Sequence, residues 1–530
     1  MDGRRGDLEH GTTARLVRAA AKWHGDRPAI VDGGEVLTFA QLAIRVQQAT
    51  RALLALGIAR GDRVAVWAPN GWRWIVAALA VHSAGAALVP INTRFKGEEA
   101  AYVLGKSGAR ALFATTDFLG VDALALLDAA GVPLPALETV VVLGGAPGRA
   151  LSWEAFVALA DQVPSGIAEE RALSVEPDDV CDIMFTSGTT GRPKGAMSTH
   201  AQTLRAFRDW SDIVGLRTGD RYLVALPFFH SFGYKAGWLA CLMMGATAFP
   251  LAVFEVGAVL EQVERHAITV LPGPPSLYQQ ILARGDIGSR RLQSLRLAVT
   301  GAAVIPFELV GRMRREIGFD TVLTGYGLTE ATGVSTLCRD GDPPELVAAT
   351  SGRAIPGVEV RVVDDAGQDV PAGSPGEVVV SGYTLTKGYF DDPGASADSF
   401  DERGRLRTGD IGVMDDNGYL RITDRKKDMF IVGGFNAYPA EIEDVLLRHA
   451  AIAQVAVVGA PDGRLGEVGV AFVVTRPGAV LDEPELIAWS RARMANYKVP
   501  RRFVRLDFLP TNATGKVLKY KLRERARDGT

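Results

Sequence analysis

Cysteine is scarce in this chain: Cys181, Cys241 and Cys338 are the only three in 530 residues, and no two have paired metal-ligand spacing. That excludes a disulfide-stapled scaffold and makes a reducing cytoplasm the expected setting. Histidine is also sparse, seven residues with no His-x-x-x-His pair, so no zinc site is expected. Neither sign of charge is in surplus: the net charge is −3 with 22% charged residues. Nucleic acid or an anionic membrane as the main partner would call for a basic excess, so neither is expected. The first residues carry Arg4, Arg5, Asp7 and Glu9 where a signal peptide would need an apolar core, and none is read. Long apolar runs are missing, with one exception. From Ala236 to Phe254 nineteen residues pass without a charge, close to the length of a membrane span. Gly237, Gly245 and Pro250 interrupt it, so a short buried helix, a turn at Gly245-Ala246 and a strand are expected there, with no transmembrane segment.

What the chain has is length and alternation. It is too long for one core and predicts at least two domains. Short β-branched runs alternate with longer Ala/Leu/Arg-rich segments, the rhythm of strands and helices in an α/β fold. Arg63–Trp67 and Ala87–Ile91 read as strands around a helix at 74–84, and the pattern recurs from Arg221 to Leu323. Gly-rich turns follow several of these strands, at Thr300–Ala303 and Thr324–Gly327. Open parallel sheets bind ligands beyond the carboxyl ends of their strands, so these turns point to one site assembled from distant segments. From about Ser351 short strands joined by Gly, Pro and Asp turns predict a β-rich subdomain, 351–427. A small α+β domain, 428–530, follows a boundary placed at Lys427, so that the large N-terminal domain runs 1–427 and consists of stacked, mostly parallel sheets with helices.

The densest chemistry lies in Thr186-Ser-Gly-Thr-Thr-Gly-Arg-Pro-Lys-Gly195, directly after the apolar run Ile183-Met184-Phe185. Glycines that let the backbone approach, four hydroxyl residues and two cations make a loop suited to gripping a polyphosphate. It is not a Walker A loop: that motif places glycine five residues after its first one, and Pro193 stands five after Gly188. A flexible linker would not fix Pro-Lys-Gly at one end.

Further strings follow in order. They are Tyr326-Gly-Leu-Thr-Glu330, Arg407-Thr-Gly-Asp410, Gly418-Tyr-Leu-Arg-Ile-Thr-Asp-Arg425, Gly433-Gly-Phe-Asn-Ala-Tyr-Pro439 and Pro510-Thr-Asn-Ala-Thr-Gly-Lys516. With the loop, they make the chain resemble the AMP-forming acyl-CoA synthetases, a superfamily that also holds luciferases and the adenylation domains of peptide synthetases. The resemblance covers nearly the whole chain. It implies a ligase that uses ATP, Mg²⁺ and coenzyme A to convert a small carboxylic acid first to an acyl-adenylate and then to a thioester. Two anions must meet in the first step, so cations and oriented donors must lower an electrostatic barrier.

The resemblance also implies roles. Thr186, Ser187, Gly188, Thr189, Thr190 and Lys194 would hold the β- and γ-phosphates and Thr329 the α-phosphate, with Glu330 as the Mg²⁺ ligand. Tyr326 would offer a flat face to adenine, with Gly301, Ala302, Ala303 and Gly327 leaving room beside it. Asp410 and Arg425 would hold the ribose, although an Asp after Thr-Gly is by default a turn residue. Leu406 stands where the family has an aromatic residue, which bears on local packing only. Lys516 would act in the first half-reaction, carried by a mobile C-terminal domain that then rotates about Lys427. That rotation would bring Gly433, Gly434, Phe435 and Asn436 to line a channel for the pantetheine arm. His230, in Pro227-Phe-Phe-His-Ser-Phe-Gly-Tyr234, is expected to touch the substrate as a pocket residue and not as a base.

The acyl pocket is expected from Phe229, His230, Tyr234, Gly325, Ala331 and Gly333, with the turn Pro272–Ser276. Small residues dominate it and leave volume for a bulky or long apolar acid. Within the family, Phe-His-Ser-Phe-Gly-Tyr-Lys-Ala-Gly and Lys-Asp-Met-Phe-Ile-Val-Gly-Gly look closest to the actinobacterial ligases that activate a propionate left on steroid C/D rings. The expected substrate is therefore a polycyclic, terpenoid-like carboxylate. A medium- or long-chain fatty acid, loading of a carrier protein, or thioesterification alone stand as alternatives, and a homodimer is an open possibility.

Overall fold

A computed structural model describes residues 5–186, 193–301, 305–425, 428–432, 435–462, 465–480, 482–494, 496–512 and 516–527. A large N-terminal domain is followed by a small C-terminal one. The first sheet of the large domain has seven strands, in the order Leu151–Ser152, Thr139–Gly144, Ala111–Thr115, Arg63–Trp67, Ala87–Pro90, Val180–Thr186 and Lys194–Thr199. All its pairs are parallel except the last, an antiparallel hairpin in which Thr186 faces Lys194. Strands covered on both faces read as near-continuous apolar runs, which is why Arg63-Val-Ala-Val-Trp67 was legible as one.

The second layer joins two four-stranded groups. Arg221–Val224, Thr247–Pro250, Pro28–Asp32 and Glu35–Thr38 form one, and Leu297–Gly301, Thr321–Tyr326, Thr336–Leu337 and Arg353–Ala354 the other. Val270 bridges both, pairing with Tyr222 on one side and Leu297 on the other. One apolar cluster, running from Leu16 through Trp74, Trp238 and Tyr278 to Leu420, packs the layers together. Capping is orthodox: Thr38 with Gln41 and Thr199 with Gln202 close capping boxes on helices Phe39–Ala55 and His200–Val214.

The uncharged stretch is broken as expected and largely buried up to Pro250, with Ala252, Val253 and Phe254 exposed. A π-helix at Tyr234–Leu239 runs into helix Ala240–Met244, Gly245 turns the chain at φ +71°, and strand Thr247–Pro250 follows. Among the described residues no helix is long and apolar enough to cross a membrane.

The β-rich subdomain is a four-stranded antiparallel sheet, Val358–Val363, Pro375–Gly382, Leu406–Met414 and Leu420–Arg425. Its third strand runs through Asp410, although an Asp after Thr-Gly is by default a turn residue. Gly409 adopts φ +68° and the register shifts between Ile411 and Gly412, so the strand bends at Thr-Gly-Asp without ending. Leu406, the departure from the family pattern, is 1% exposed and joins the main apolar cluster.

The C-terminal domain is a sheet of Phe430–Val432, Phe435–Ala437, Ile452–Asp462, Gly466–Thr475 and Arg502–Arg505 with helices Pro439–Leu446, Glu483–Arg491 and Lys519–Arg527. Each face has its own core, Phe430, Ile442 and Val457 on one and Phe472, Leu506 and Leu522 on the other. The domain boundary placed at Lys427 lies outside the described residues. On either side of it, Asp424 accepts a hydrogen bond from Ala440 N (2.9 Å) in the first turn of helix Pro439–Leu446, where an anion suits the helix dipole. Lys519 pairs with Glu443 (2.8 Å) and Arg523 with Asp428.

Candidate active site

The hairpin Val180–Thr186/Lys194–Thr199 presents the phosphate-loop ends side by side. Ser187, Gly188, Thr189 and Thr190 lie outside the described residues, as do Ala302, Ala303, Gly433 and Gly434. For Arg425, Phe435 and Asn436 only the backbone is described: Arg425 pairs with Asp410 and Asn436 with Ile431. Gly195 is required by its surroundings, since a Cβ there would lie 2.7 Å from the Ile183 side chain and 3.1 Å from the Phe185 ring.

Around the hairpin mouth the polar groups interlock. Thr186 Oγ1 donates to Glu330 Oε1 (3.1 Å), and Tyr389 Oη donates to the same oxygen (2.9 Å). Lys194 Nζ lies over the Tyr389 ring, 5.2 Å from its centre, in cation–π range. Burial and then the Glu330 charge push the Tyr389 phenol well above its ordinary value, so it stays a donor. The segment holding Tyr389 is fixed by backbone to the hairpin, where Tyr389 bridges Ala196 and Phe390 N donates to Gly195 O (2.8 Å), and to the Glu330 turn, where Thr386 N donates to Glu330 O (2.8 Å). Tyr389 was not singled out from the sequence. Its signal was the string Lys387-Gly-Tyr-Phe-Asp-Asp-Pro393, a tyrosine between a tight turn and a helix start.

Strands Leu297–Gly301 and Thr321–Tyr326 are parallel neighbours, and Gly301 faces Gly325 so closely that a Cβ on Gly301 would sit 2.7 Å from Gly325 O. Tyr326, at the end of the second strand, donates its hydroxyl to Asp410 Oδ2 (2.6 Å), which locks a buried carboxylate to a half-exposed ring. Thr329 and Glu330 follow on a 3₁₀ turn, partly exposed, with Ala331 buried beneath.

The acyl segment meets this turn through glycines. A Cβ on Gly327 would come 2.3 Å from Gly333 O, and one on Gly333 (φ +106°) 2.9 Å from Ser231 Cβ. Phe229 and His230 stay partly exposed there, and His230 Nδ1 accepts from Phe232 N (3.2 Å). Burial and the nearby Lys516 ammonium lower the His230 imidazole to about 4, so it is neutral near pH 7. Lys516 therefore stands close to the acyl segment, although it belongs to the C-terminal domain. Its backbone is held by Asn512, whose Oδ1 accepts from Lys516 N (2.9 Å) and whose N donates to Lys516 O (2.8 Å).

Tyr234 corrects the expectation for the pocket. It is fully buried, stacked on Trp238 (5.0 Å between ring centres), with its hydroxyl 3.3 Å from His82 Nε2. It belongs to the core under the pocket, because the π-helix turns its ring inward. Lys235, the next residue, is also fully buried. It pairs with Asp182 (3.0 Å) and donates to Ser198 Oγ (3.0 Å). A charge inside each of two apolar runs, Cys181–Phe185 and Phe232–Met244, was the available signal for that pair.

This fold and this arrangement define an adenylate-forming enzyme. The AMP-binding enzyme family matches residues 16–390 and the AMP-binding enzyme C-terminal domain matches 441–516, so the chain belongs to that family. It is an AMP-forming acyl-CoA synthetase, and its relatives narrow the branch. It is 48% identical over 518 residues (97% of this chain, 98% of the relative) to a 3-(7a-methyl-1,5-dioxo-octahydro-1H-inden-4-yl)propanoyl:CoA ligase of Rhodococcus jostii. To the ligase of the same description in Mycobacterium tuberculosis it is 49% identical, covering 96% of this chain and 97% of that one. Among solved structures, the ATP-bound MatB of Rhodopseudomonas palustris superposes with a TM-score of 0.87 at 30% identity, covering 97% and 99% of the two chains. The anthranilate CoA ligase AuaEII with anthranoyl-AMP gives 0.88 at 28%, covering 98% of each.

Proposed function

We propose that this ligase activates a bicyclic or larger ring system carrying a propionate, of steroid or terpenoid origin, in the cytoplasm. The relatives above supply the ring class, and Gly327 and Gly333, packed backbone to backbone beside Ser231, keep side-chain atoms out of this part of the acyl segment. The observation that supports the adenylation step is that the Lys516 charge reaches His230 and, with burial, lowers its imidazole. A cation delivered by the C-terminal domain reaches the segment that would hold the acid, which is the arrangement the first half-reaction needs.

In this reading the acid lies along Phe229, His230 and Ala331, with its carboxylate towards Thr329 and Lys516. Neutral His230 adds no charge of its own and orients the acid. Thr186, Lys194 and the loop between them grip the β- and γ-phosphates. Asp410, held by Tyr326, accepts the ribose hydroxyls, and Arg425 joins it. The carboxylate oxygen attacks the α-phosphorus, the bond to the β-phosphate oxygen breaks, and pyrophosphate leaves. Lys516 and Lys194 offset charge as the two anions approach. Glu330 presents the hard carboxylate oxygen that Mg²⁺ prefers, with Oε1 already engaged by two hydroxyls, and the bound ion would neutralise phosphate charge. For the second step the C-terminal domain rotates about Lys427, breaking the Asp424–Ala440 contact, and Gly433–Asn436 admit the thiol of coenzyme A.

The test is specificity. Purified enzyme should form CoA thioesters of ring propionates with at least about tenfold higher kcat/KM than of linear C8–C16 acids, read by mass spectrometry. The reverse order would assign the enzyme to linear fatty acids.

A further inference from the structure

We infer that Lys235 is a positioning residue for acyl-adenylate formation: it ties the acid-binding segment to the phosphate-loop hairpin and sets the distance between the two reactants. Three observations carry this. The ammonium is fully buried and reaches both strands of the hairpin at once, Asp182 on the first and Ser198 on the second, each at 3.0 Å. Asp182 and Ser198 are register partners, next to the irregularity between Val180 and Asp182, and each lies four residues from a loop end, Thr186 or Lys194. Lys235 itself sits five residues after His230, on a π-helix held against the Arg221–Val224 strand, where Tyr222 Oη donates to Ala236 O (2.7 Å).

One side chain thus fixes the hairpin register at its base and anchors the acyl segment to it. Register matters here, since a one-residue slip would turn Thr186 and Lys194 to the opposite face. Distance matters as well: misplacing reactants by about 1 Å can cost about 10²-fold in rate. A buried ion pair is a poor source of net stability against apolar residues of similar volume, whereas one partner left alone is strongly destabilising. A role in geometry accounts for a lysine at this depth better than a role in stability does.

The inference rests on the adenylation reading, and its test separates the two. Wild-type enzyme, Lys235→Met, Ser198→Ala and the double variant Asp182→Asn/Lys235→Met are compared in acid-dependent pyrophosphate exchange and in thiolation of synthetic acyl-adenylate, with Tm measured for each. Failure of wild type to exchange pyrophosphate would sink the adenylation reading itself. With wild type active, Lys235→Met should lose about 10- to 100-fold in exchange kcat and keep thiolation within about threefold. The double variant, with no buried charge left alone, should regain most of the lost Tm but not the exchange rate. Ser198→Ala, which frees only the second strand, should lose a few-fold in exchange at nearly unchanged Tm. Recovery of exchange in the double variant, equal losses in both half-reactions, or full exchange in Lys235→Met would each overturn the assignment.

Discussion

The proposed nucleotide and acyl sides of this site are built on different principles. On the nucleotide side polar side chains hold one another: Thr186 and Tyr389 on Glu330, Tyr326 on Asp410, Lys194 over Tyr389. On the acyl side the contacts are near-backbone approaches at Gly327 and Gly333 over a core of Tyr234, Trp238 and Trp74. One side is specified by which groups are present, the other by which side-chain atoms are missing. In the proposed reading, nucleotide chemistry lies in the first and substrate choice in the second.

The comparison can be broken from either side. The largest effect is expected at Lys516, the residue that joins the two. Lys516→Ala should cut adenylation by about 10²–10³-fold and leave thiolation of preformed adenylate intact, measured in separate half-reaction assays. Equal loss in both would contradict delivery by the C-terminal domain for one step only.

On the nucleotide side, Tyr389→Phe removes one of the two donors on Glu330 Oε1 and keeps the ring under Lys194. About tenfold weaker binding of ATP in the presence of Mg²⁺, seen by calorimetry, is expected with the KM for the acid unchanged. A shift in acid KM instead would erase the distinction between the sides. On the acyl side, Gly327→Ala should do the opposite. Its methyl group would press on Gly333 and Val334, so kcat/KM for a ring propionate should fall several-fold more than for a small acid, with ATP affinity retained and Tm lowered by a few degrees.

The smallest effect concerns acid. Under the acyl side, burial lowers the imidazoles of His82 and His200 from 6.5 to about 3. Between those values the unfolded chain binds protons that the folded chain refuses, so stability should fall as pH drops below 6.5 and rise as pH returns. Thermal melts from pH 7.5 down to 5 should show this decline, and His200→Asn should make it shallower. An unchanged slope would mean that these rings are not excluded from protonation.

Legibility in the sequence followed the same division. Asp410, Tyr326, Thr186 and Glu330 could be named because hydrogen-bonding chemistry is written in short strings with fixed spacing. The strand through Asp410 was less legible, since a chain that bends at Gly409 without ending looks like a turn locally. Tyr234 was placed on the pocket and lies in the core, because a π-helix rotates side chains away from the face that ordinary helical spacing implies. Tyr389 and the Lys235–Asp182 pair depend on contacts across 59 and 53 residues of sequence, which no local pattern encodes. The sheet order escaped for the same reason, while individual strands such as Arg63–Trp67 and Thr321–Tyr326 did not.

The central claim is that this site joins a carboxylate to AMP before any thiol arrives. Enzyme mixed with a ring propionate and ATP, without coenzyme A, should release pyrophosphate in a burst matching the enzyme concentration and yield bound acyl-AMP by mass spectrometry. No pyrophosphate until coenzyme A is added would contradict the account.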